Sequence, residues 1–239
     1  MRGGTALHKV HLAPAARYSE DIDLVLVGDR PAEHVEKALK RVLNPILGAP
    51  RTNMWAKVVL AVRNWRMLSE ILRLEWFYRP TLYAQEEAKL KVEVNCTERT
   101  PFYDVVELPC EPAPPGAPKG IALRSYDVDE MLGTKMRALL QRDQGRDLFD
   151  LWWAWHLSEK GQSRHPVNPD RVVAAFNDYM AREGSVVRRD QYTEELDQKL
   201  TLRKFRHDMD TMLRADLHPY AIDTARAVVQ QVFLDRLPS

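Results

Sequence analysis

The sequence has few of the features that mark secreted or membrane proteins. It contains only two cysteines among 239 residues, Cys96 and Cys110, and no histidine cluster accompanies them at zinc-site spacing. No apolar run approaches the roughly 18 residues that a membrane span needs, and the N-terminus lacks the apolar core of a signal peptide. These absences favour a reducing, cytoplasmic location and argue against a membrane protein.

An excess of charge of either sign is also missing. The chain has 35 Lys+Arg against 34 Asp+Glu, which gives a formal net charge of +1. A nucleic-acid partner would therefore be held by a local basic surface rather than by overall charge. The 45% hydrophobic and 29% charged fractions are those of a globular protein, long enough for one large domain or two smaller ones.

The most informative segment is a strand-like run in which two carboxylates alternate with apolar residues. Asp21 and Asp23 flank Ile22 and are followed by the apolar residues 24–27. Side chains i and i+2 of a β-strand point to the same face, so the two carboxylates would lie side by side. Such a pair repels itself unless a divalent cation lies between the carboxylates or one of them takes a proton. The run therefore predicts a metal-binding strand.

Two glycines precede this strand and open a short amphipathic stretch. Gly3 and Gly4 can bring the backbone close to a triphosphate, and a helix that begins there would offer it unpaired N–H groups. Paired glycines followed by Asp-x-Asp on an apolar strand resemble the signature of the DNA polymerase β-like nucleotidyltransferases. In those enzymes the aspartates hold magnesium ions that bridge the phosphates and the attacking hydroxyl. The alternative is an edge strand with a solvated acidic turn.

A third carboxylate lies on a second alternating strand, predicted at Lys89–Asn95. Leu90, Val92 and Val94 form one face of this strand, and Glu93 lies on the polar face. Polymerase β-like enzymes place an acidic residue on a strand next to the first pair, so we expect Glu93 to share a metal with it. The alternative is an ordinary solvent-facing glutamate between lysines.

A proline-rich tract, Pro109–Pro118, divides the chain and predicts an exposed loop. The expected fold class is α+β: a polymerase β-like nucleotidyltransferase core at residues 1–124, with a mixed sheet and flanking helices, and a mostly helical C-terminal domain at residues 125–239. The patterns predict a helix at His34–Leu47 and strands at Trp55–Val62, Glu70–Tyr78, Lys89–Asn95 and Ile121–Arg124.

The C-terminal part begins with two predicted helices. Asp127 and Glu130 predict a capping box at the start of the first helix. Charged side chains among so many apolar ones usually have partners, so Asp147 or Asp150 could pair with a cation and set the angle between the helices. The candidate cations are Lys135, Arg137 and Arg146. His8 and His11, three residues apart, are expected on a helix surface rather than in a metal site.

Together these motifs resemble a narrower family over roughly residues 3–155. The segments GGTALHKVHL, RYSEDIDLVL, LKVEVN and DEMLGTKMRALLQRDQGRDLFDLWW look like the AbiEii/AbiGii toxin family. These proteins are the nucleotidyltransferase toxins of type IV abortive-infection toxin–antitoxin systems. Ser-x-Asp-x-Asp combined with Lys-x-x-Ala-Leu and Arg-Asp-x-x-Asp is more specific than Asp-x-Asp alone.

The resemblance implies a role for each motif. The nucleotide-binding residues would be Gly3, Gly4, Thr5, Ser19, Lys135 and Arg137. The metal ligands would be Asp21, Asp23 and Glu93, which with Lys135 would also be the catalytic residues. A further site whose role is open would involve Arg146, Asp147 and Asp150.

The implied activity is transfer of a nucleotide from an NTP to an RNA acceptor, at the tRNA 3′ end, with Mg²⁺ or Mn²⁺ and release of pyrophosphate. Translation would stop, and a cognate antitoxin would restrain the enzyme. Two alternatives remain open: a small-molecule nucleotidyltransferase, and a non-catalytic nucleotide-binding module. Only Met1 and Arg2 precede Gly3, where polymerase β-like cores have a strand or helix, so we expect a late-assigned start or a lost element.

Overall fold

The computed structural model describes residues 1–47, 61–68, 71–78, 88–109, 120–217 and 220–239. The chain forms two compact units. The first, here called the sheet unit, contains residues 1–5 and 20–101, and the second, the helical unit, contains residues 6–19 and 102–239. The predicted domain division between residues 124 and 125 stays a prediction.

The sheet unit is built on a four-stranded mixed sheet with the strand order β1-β4-β3-β2. The Asp-x-Asp strand β1 runs parallel to β4, whereas β4, β3 and β2 are successively antiparallel. The strands are β1 (Asp21–Val25), β2 (Ala61–Leu68), β3 (Ile71–Tyr78) and β4 (Ala88–Asn95).

One face of this sheet is apolar because apolar residues alternate with others along β3 and β4. Helix α2 (Ala32–Leu47) packs on this face through Val35, Leu39 and Leu43. The side chains of β3 and β4 that meet it are almost completely buried: Leu72, Leu74, Trp76, Val92 and Val94. The polar residues of the same strands are thereby directed to the opposite face.

The helical unit has six α-helices in its described part, together with short 3₁₀ and π-helical segments and a hairpin. Strands β5 (Val106–Pro109) and β6 (Ala122–Ser125) are antiparallel. The helices are α3 (Val128–Gln141), α4 (Gly145–Glu159), α5 (Pro169–Arg182), α6 (Arg189–Thr201), α7 (Arg203–Arg206) and α8 (Ile222–Val232). Near the N-terminus, α1 (Gly3–Ala6) continues into a π-helical segment (Leu7–His11). None of the described helices combines the length and the apolar character that crossing a bilayer requires.

The start of α3 confirms half of the predicted capping box. The Asp127 side chain accepts a hydrogen bond from the Asp129 N–H and caps the helix. Glu130 does not reciprocate. Its carboxylate is buried and accepts hydrogen bonds from the backbone N–H groups of residues 102–103 and from the Tyr179 hydroxyl. These three tertiary donors satisfy the buried Glu130 carboxylate, so its side chain binds them instead of the N–H of the N-cap residue.

The boundaries of β3, β4 and β6 agree with the predicted ones to within one residue, and larger differences occur at β2 and β5. Strand β2 includes the last two residues of the predicted run at 55–62 but continues to Leu68, and residues 55–60 lie outside the described part of the chain. Pro109, expected in the exposed loop, is the last residue of β5, whereas residues 110–118 lie outside the described part. Strand β5 was missed because four residues are too few for a clear alternation.

Candidate active site

The predicted metal ligands lie on neighbouring strands of the sheet unit. In the parallel pairing of β1 with β4, Asp23 lies opposite Glu93 and Asp21 lies opposite Lys91. Paired positions of adjacent strands are about 4.8 Å apart and share a face of the sheet. The fold therefore brings the three carboxylates together on the polar face, as the spacing predicts, and places a lysine among them.

Lys91 and Arg73 are the cations that contact these carboxylates. The Lys91 Nζ lies 2.7 Å from Asp21 Oδ2 and 3.3 Å from Glu93 Oε1. On the other side, Arg73 Nε of β3 donates to Glu93 Oε1 at 2.7 Å. Burial lowers the pKa of Lys91, but its hydrogen bond to Asp21 and the charges of both carboxylates outweigh burial and raise that pKa. Lys91 is thus a firmly charged ammonium.

The glycine motif is fixed directly beside the Asp-x-Asp strand. The Arg2 N–H donates to the Asp23 carbonyl at 3.0 Å, and the Thr5 hydroxyl donates to the Asp21 carbonyl. Gly3 has φ +78°, and a Cβ added to it would lie 2.0 Å from Asp23 Oδ2. Only glycine satisfies both conditions, so its backbone can lie against the carboxylate that is expected to hold a metal.

The carboxylates fit a hard divalent cation in chemistry and in register. Three carboxylates on adjacent strands supply the oxygen ligands that Mg²⁺ prefers. Within the described ranges, however, no group of three or more His, Cys, Asp or Glu side chains is arranged to hold a metal ion. On the polar face, one oxygen of Asp21 and one of Glu93 contact the Lys91 ammonium.

In the helical unit, Lys135 lies in a buried cluster of charges. Its Nζ is 2.9 Å from Asp147 Oδ1 and 2.7 Å from Asp150 Oδ2. The side chain of Lys135 is 6% exposed and those of both aspartates are 0% exposed. This pairing joins α3 to α4, in agreement with the structural interpretation of these aspartates.

Two arginines and a histidine complete this cluster. Arg17 makes a bidentate contact with Asp150 at 2.6 and 2.7 Å, and Arg142 makes one with Asp147 at 2.8 and 3.0 Å. His8 Nε2 lies 2.7 Å from Asp150 Oδ1. The sequence does not predict the contacts of His8 and Arg17, because no local spacing connects them to a position more than 130 residues away. The Arg142–Asp147 contact spans only five residues and was also missed.

The cluster keeps both aspartates ionised. Burial alone would raise the pKa of Asp150, but the charges of Arg17 and Lys135 outweigh burial and hold that pKa well below its ordinary value. The pKa of Asp147 is also lowered: burial opposes the shift, and the charge of Lys135 is the largest contribution that favours it. Burial lowers the pKa of His8, so its neutral ring donates the Nε2–H to Asp150.

The remaining predicted site residues have ordinary structural contacts. Arg137 pairs with Glu183 at 3.0 Å, and its guanidinium lies 4.8 Å from the centre of the Tyr179 ring. The backbone N–H of Arg146, at the start of α4, donates to the Asp208 carboxylate at 2.9 Å. Ser19, two residues before Asp21, is partly exposed.

The expectation that His8 and His11 lie on a helix surface is wrong. Both are almost completely buried, at 0% and 2% exposure. His11 Nε2 lies 3.0 Å from Ser125 Oγ. Burial lowers the pKa of His11 to about 4, so its ring is neutral at pH 7. Tertiary contacts with residues 125 and 150, which periodicity does not reveal, explain the burial.

Comparison with known proteins identifies the family of the chain. Residues 1–229 match the family described as "Nucleotidyl transferase AbiEii toxin, Type IV TA system". The chain belongs to the AbiEii family. Its fold is similar to that of MenT4, a nucleotidyltransferase toxin from Mycobacterium tuberculosis H37Rv, with a TM-score of 0.55 and 17% identity over 100% of this chain and 75% of that chain. No curated protein matches the sequence.

Membership of the AbiEii family confirms three predictions. The chain is a nucleotidyltransferase, it is a toxin of a type IV toxin–antitoxin system, and it has an α+β fold. An antitoxin partner follows from the same family description. The roles of the individual site residues stay predictions.

Proposed function

We propose that this AbiEii-family enzyme transfers a nucleotide from an NTP to an RNA acceptor, the 3′ end of tRNA in the cytoplasm, and thereby stops translation. One observation supports this above all others. The pairing of β1 with β4 places Asp21, Asp23 and Glu93 on one face, with the Gly3 backbone packed against Asp23. A carboxylate face beside a glycine turn suits a metal-bound triphosphate.

On this proposal Asp21, Asp23 and Glu93 would hold Mg²⁺, or Mn²⁺ in its place. Bound divalent cations would neutralise charge on the phosphates and polarise the attacking 3′-hydroxyl. Gly3 and Gly4 would let the backbone approach the phosphates without steric hindrance. Glu93 would also accept the proton that the acceptor hydroxyl loses.

Lys135 would supply positive charge for the β and γ phosphates, with Arg137 as a secondary contact. Arg17 and Arg142 each bind one of the two buried carboxylates bidentately. The charge of Lys135 is therefore in excess, since the cluster has three cations, Arg17, Lys135 and Arg142, for the two aspartates. A net positive charge of this kind favours an anionic ligand such as a triphosphate.

Ser19 is proposed as a neighbour of the nucleotide that also offers a means of control. It lies two residues before Asp21, the first residue of β1. A phosphate on its hydroxyl would add negative charge next to carboxylates that bind a metal-bound triphosphate, and would repel that substrate. An antitoxin that modifies Ser19 would restrain the enzyme in this way.

The test is a transfer assay with purified protein, Mg²⁺, total tRNA and each NTP labelled in turn at the α or the γ phosphate. We expect label from the α position alone to appear on tRNA, and to disappear when Asp21 and Asp23 are both changed to Ala. Blocking the tRNA 3′ end by periodate oxidation should abolish labelling. If the α label appears on small-molecule acceptors and not on tRNA, the small-molecule nucleotidyltransferase is supported instead. Mg²⁺-dependent NTP binding without turnover would support the non-catalytic binding module.

A further inference from the structure

Lys91 lies on the polar face in contact with two proposed metal ligands, and no step of the proposed function uses it. Its ammonium lies between a carboxylate of β1 and a carboxylate of its own strand, 2.7 Å from Asp21 Oδ2 and 3.3 Å from Glu93 Oε1. Its side chain is 19% exposed, so the contact is partly shielded from water. Both partners are proposed metal ligands, and Lys91 therefore uses oxygens that a divalent cation would need.

The neighbouring cations of this face do not share that position. Lys89, the preceding polar residue on β4, pairs with Glu75 at 3.0 Å and is 54% exposed. Arg73 contacts Glu93 from the β3 side, away from β1. Lys91, by contrast, contacts both Asp21 and Glu93.

We propose that Lys91 is a built-in counter-ion that competes with the divalent metal. Before a metal binds, its ammonium neutralises Asp21 and Glu93 and holds their side chains on the polar face. A divalent cation can use those oxygens only if the ammonium leaves, so Lys91 weakens metal binding and sets the metal concentration that the enzyme requires. This inference rests on the metal site of the proposed function.

Displacement is required because the two cations use the same lone pairs. Mg²⁺ contacts its oxygens at about 2.0–2.1 Å and demands a near-octahedral set of ligands, which an ammonium already hydrogen-bonded to those oxygens obstructs. An ammonium that stayed nearby would also repel the dication. An opposite charge in contact with a carboxylate lowers its affinity for a proton by about tenfold or more, and we expect its affinity for a metal cation to fall in the same direction.

The experiment is a titration with Mn²⁺ alone, followed by electron paramagnetic resonance of free Mn²⁺, without any nucleotide. Asp23→Asn serves to locate the site, because Asp23 is a proposed ligand that lies opposite Glu93 in the pairing of β1 with β4. Lys91→Met removes the charge and keeps the length of the side chain. Lys89→Met is the matched control on the same strand and face, and Lys91→Arg keeps the charge.

We expect Lys91→Met to bind Mn²⁺ about tenfold more tightly than the wild type, with Lys89→Met and Lys91→Arg close to the wild type. Thermal unfolding provides a second readout: Lys91→Met should show a larger increase in Tm on adding Mn²⁺. Equal or weaker Mn²⁺ binding by Lys91→Met, or equal tightening by Lys91→Arg, would overturn the counter-ion role.

The outcome of the Asp23→Asn titration separates this inference from the proposed function. If the wild type binds Mn²⁺ and Asp23→Asn binds it weakly, the metal site stands whatever Lys91→Met does. If wild type, Asp23→Asn and Lys91→Met all fail to bind Mn²⁺ at this face, the metal site and the counter-ion role are both wrong.

Discussion

Gly3 is the residue whose identity the structure constrains most tightly. Its φ of +78° lies in the left-handed region, and a Cβ would lie 2.0 Å from Asp23 Oδ2. A Gly-Gly pair was singled out in the sequence for its freedom to approach a phosphate. The structure adds a second reason, since the same backbone must approach a carboxylate. The contact with Asp23 could not be predicted, because it depends on the pairing of Arg2 with β1.

Changing Gly3 to Ala should therefore lower the unfolding free energy by more than a positive φ alone explains. The expected loss is about 2–5 kcal/mol of unfolding free energy from the strained backbone and the overlap together, or displacement of Asp23 with loss of Mg²⁺-NTP binding. Gly28→Ala is the matched control, because Gly28 has φ +87° and open space around its Cβ position. It should lose about 1–2 kcal/mol. Chemical denaturation measures the unfolding free energy of each variant, and NTP titration measures its nucleotide binding. Equal values for Gly3→Ala and Gly28→Ala in both measurements would contradict the close contact of Gly3 with Asp23.

His11 makes the stability of the protein depend on pH. Burial lowers its pKa to about 4 in the folded protein, from 6.5 in the unfolded chain. Between these values the unfolded chain binds more protons, so the stabilisation is complete above about pH 6.5 and is lost as the pH falls towards 4. The loss attributable to His11 is about 3 kcal/mol over this window.

Denaturant unfolding at intervals from pH 7.5 to 4 tests this dependence. His11→Gln should remove about 3 kcal/mol of the decrease, while His8, whose pKa burial also lowers, keeps a remaining slope of the same sign. His34→Gln, at an exposed position in α2, is the matched control for replacing a histidine outside the buried segment. A His11→Gln profile parallel to the wild type would show that His11 is not buried in its neutral form.

At the scale of elements, the buried charge cluster joins the segment 6–19 to α3 and α4 within the helical unit. Arg17 and His8 of that segment both contact Asp150 on α4, and Lys135 of α3 contacts it as well. The Arg-Asp-x-x-Asp motif therefore has a structural task that stands beside any chemical one. The sequence indicated a partner for Asp150 but could not identify Arg17.

Asp150→Asn should destabilise the helical unit strongly. Removing one member of a buried ion pair leaves uncompensated charge, here on Arg17 and Lys135, at a cost of about 3–5 kcal/mol. Asp197→Asn is the control, because its pair with Arg226 at 2.9 Å is half exposed and should contribute no more than about 1 kcal/mol. Unfolding free energies of the two variants within 1 kcal/mol of each other would be incompatible with a buried cluster.

Hydrophobic periodicity predicts some elements of this fold and not their long-range contacts. Strict alternation identified β4 and the face of Glu93, and the period of three to four residues identified α2, since both patterns follow from burying one side of an element. The carboxylate of Glu130 and the side chain of His11 were misplaced because their partners are distant in the chain. The contact of Lys91 with Asp21 could not be predicted either, because it depends on which strand pairs with β4.

At the scale of the whole molecule, near-neutral composition coexists with two local concentrations of charge. The sheet unit carries carboxylates beside Lys91 and Arg73, and the helical unit carries a buried cluster with an excess cation. Membership of the AbiEii family gives both a common context, because a nucleotidyltransferase acts on a substrate that carries phosphates. The motifs that suggested the family in the sequence are those around which the two charged groups are built.

The central claim is that the carboxylate face of β1 and β4 carries out nucleotide transfer. The most direct test is the initial rate of α-label transfer to tRNA by Asp23→Asn and Glu93→Gln, with Glu75→Gln as the control. Glu75 lies on the same face, opposite Lys91, and pairs with Lys89. We predict losses of more than about 100-fold for the first two variants, with unchanged Tm, and a rate within about threefold of the wild type for Glu75→Gln. Equal rates for Glu93→Gln, Glu75→Gln and the wild type would contradict the claim.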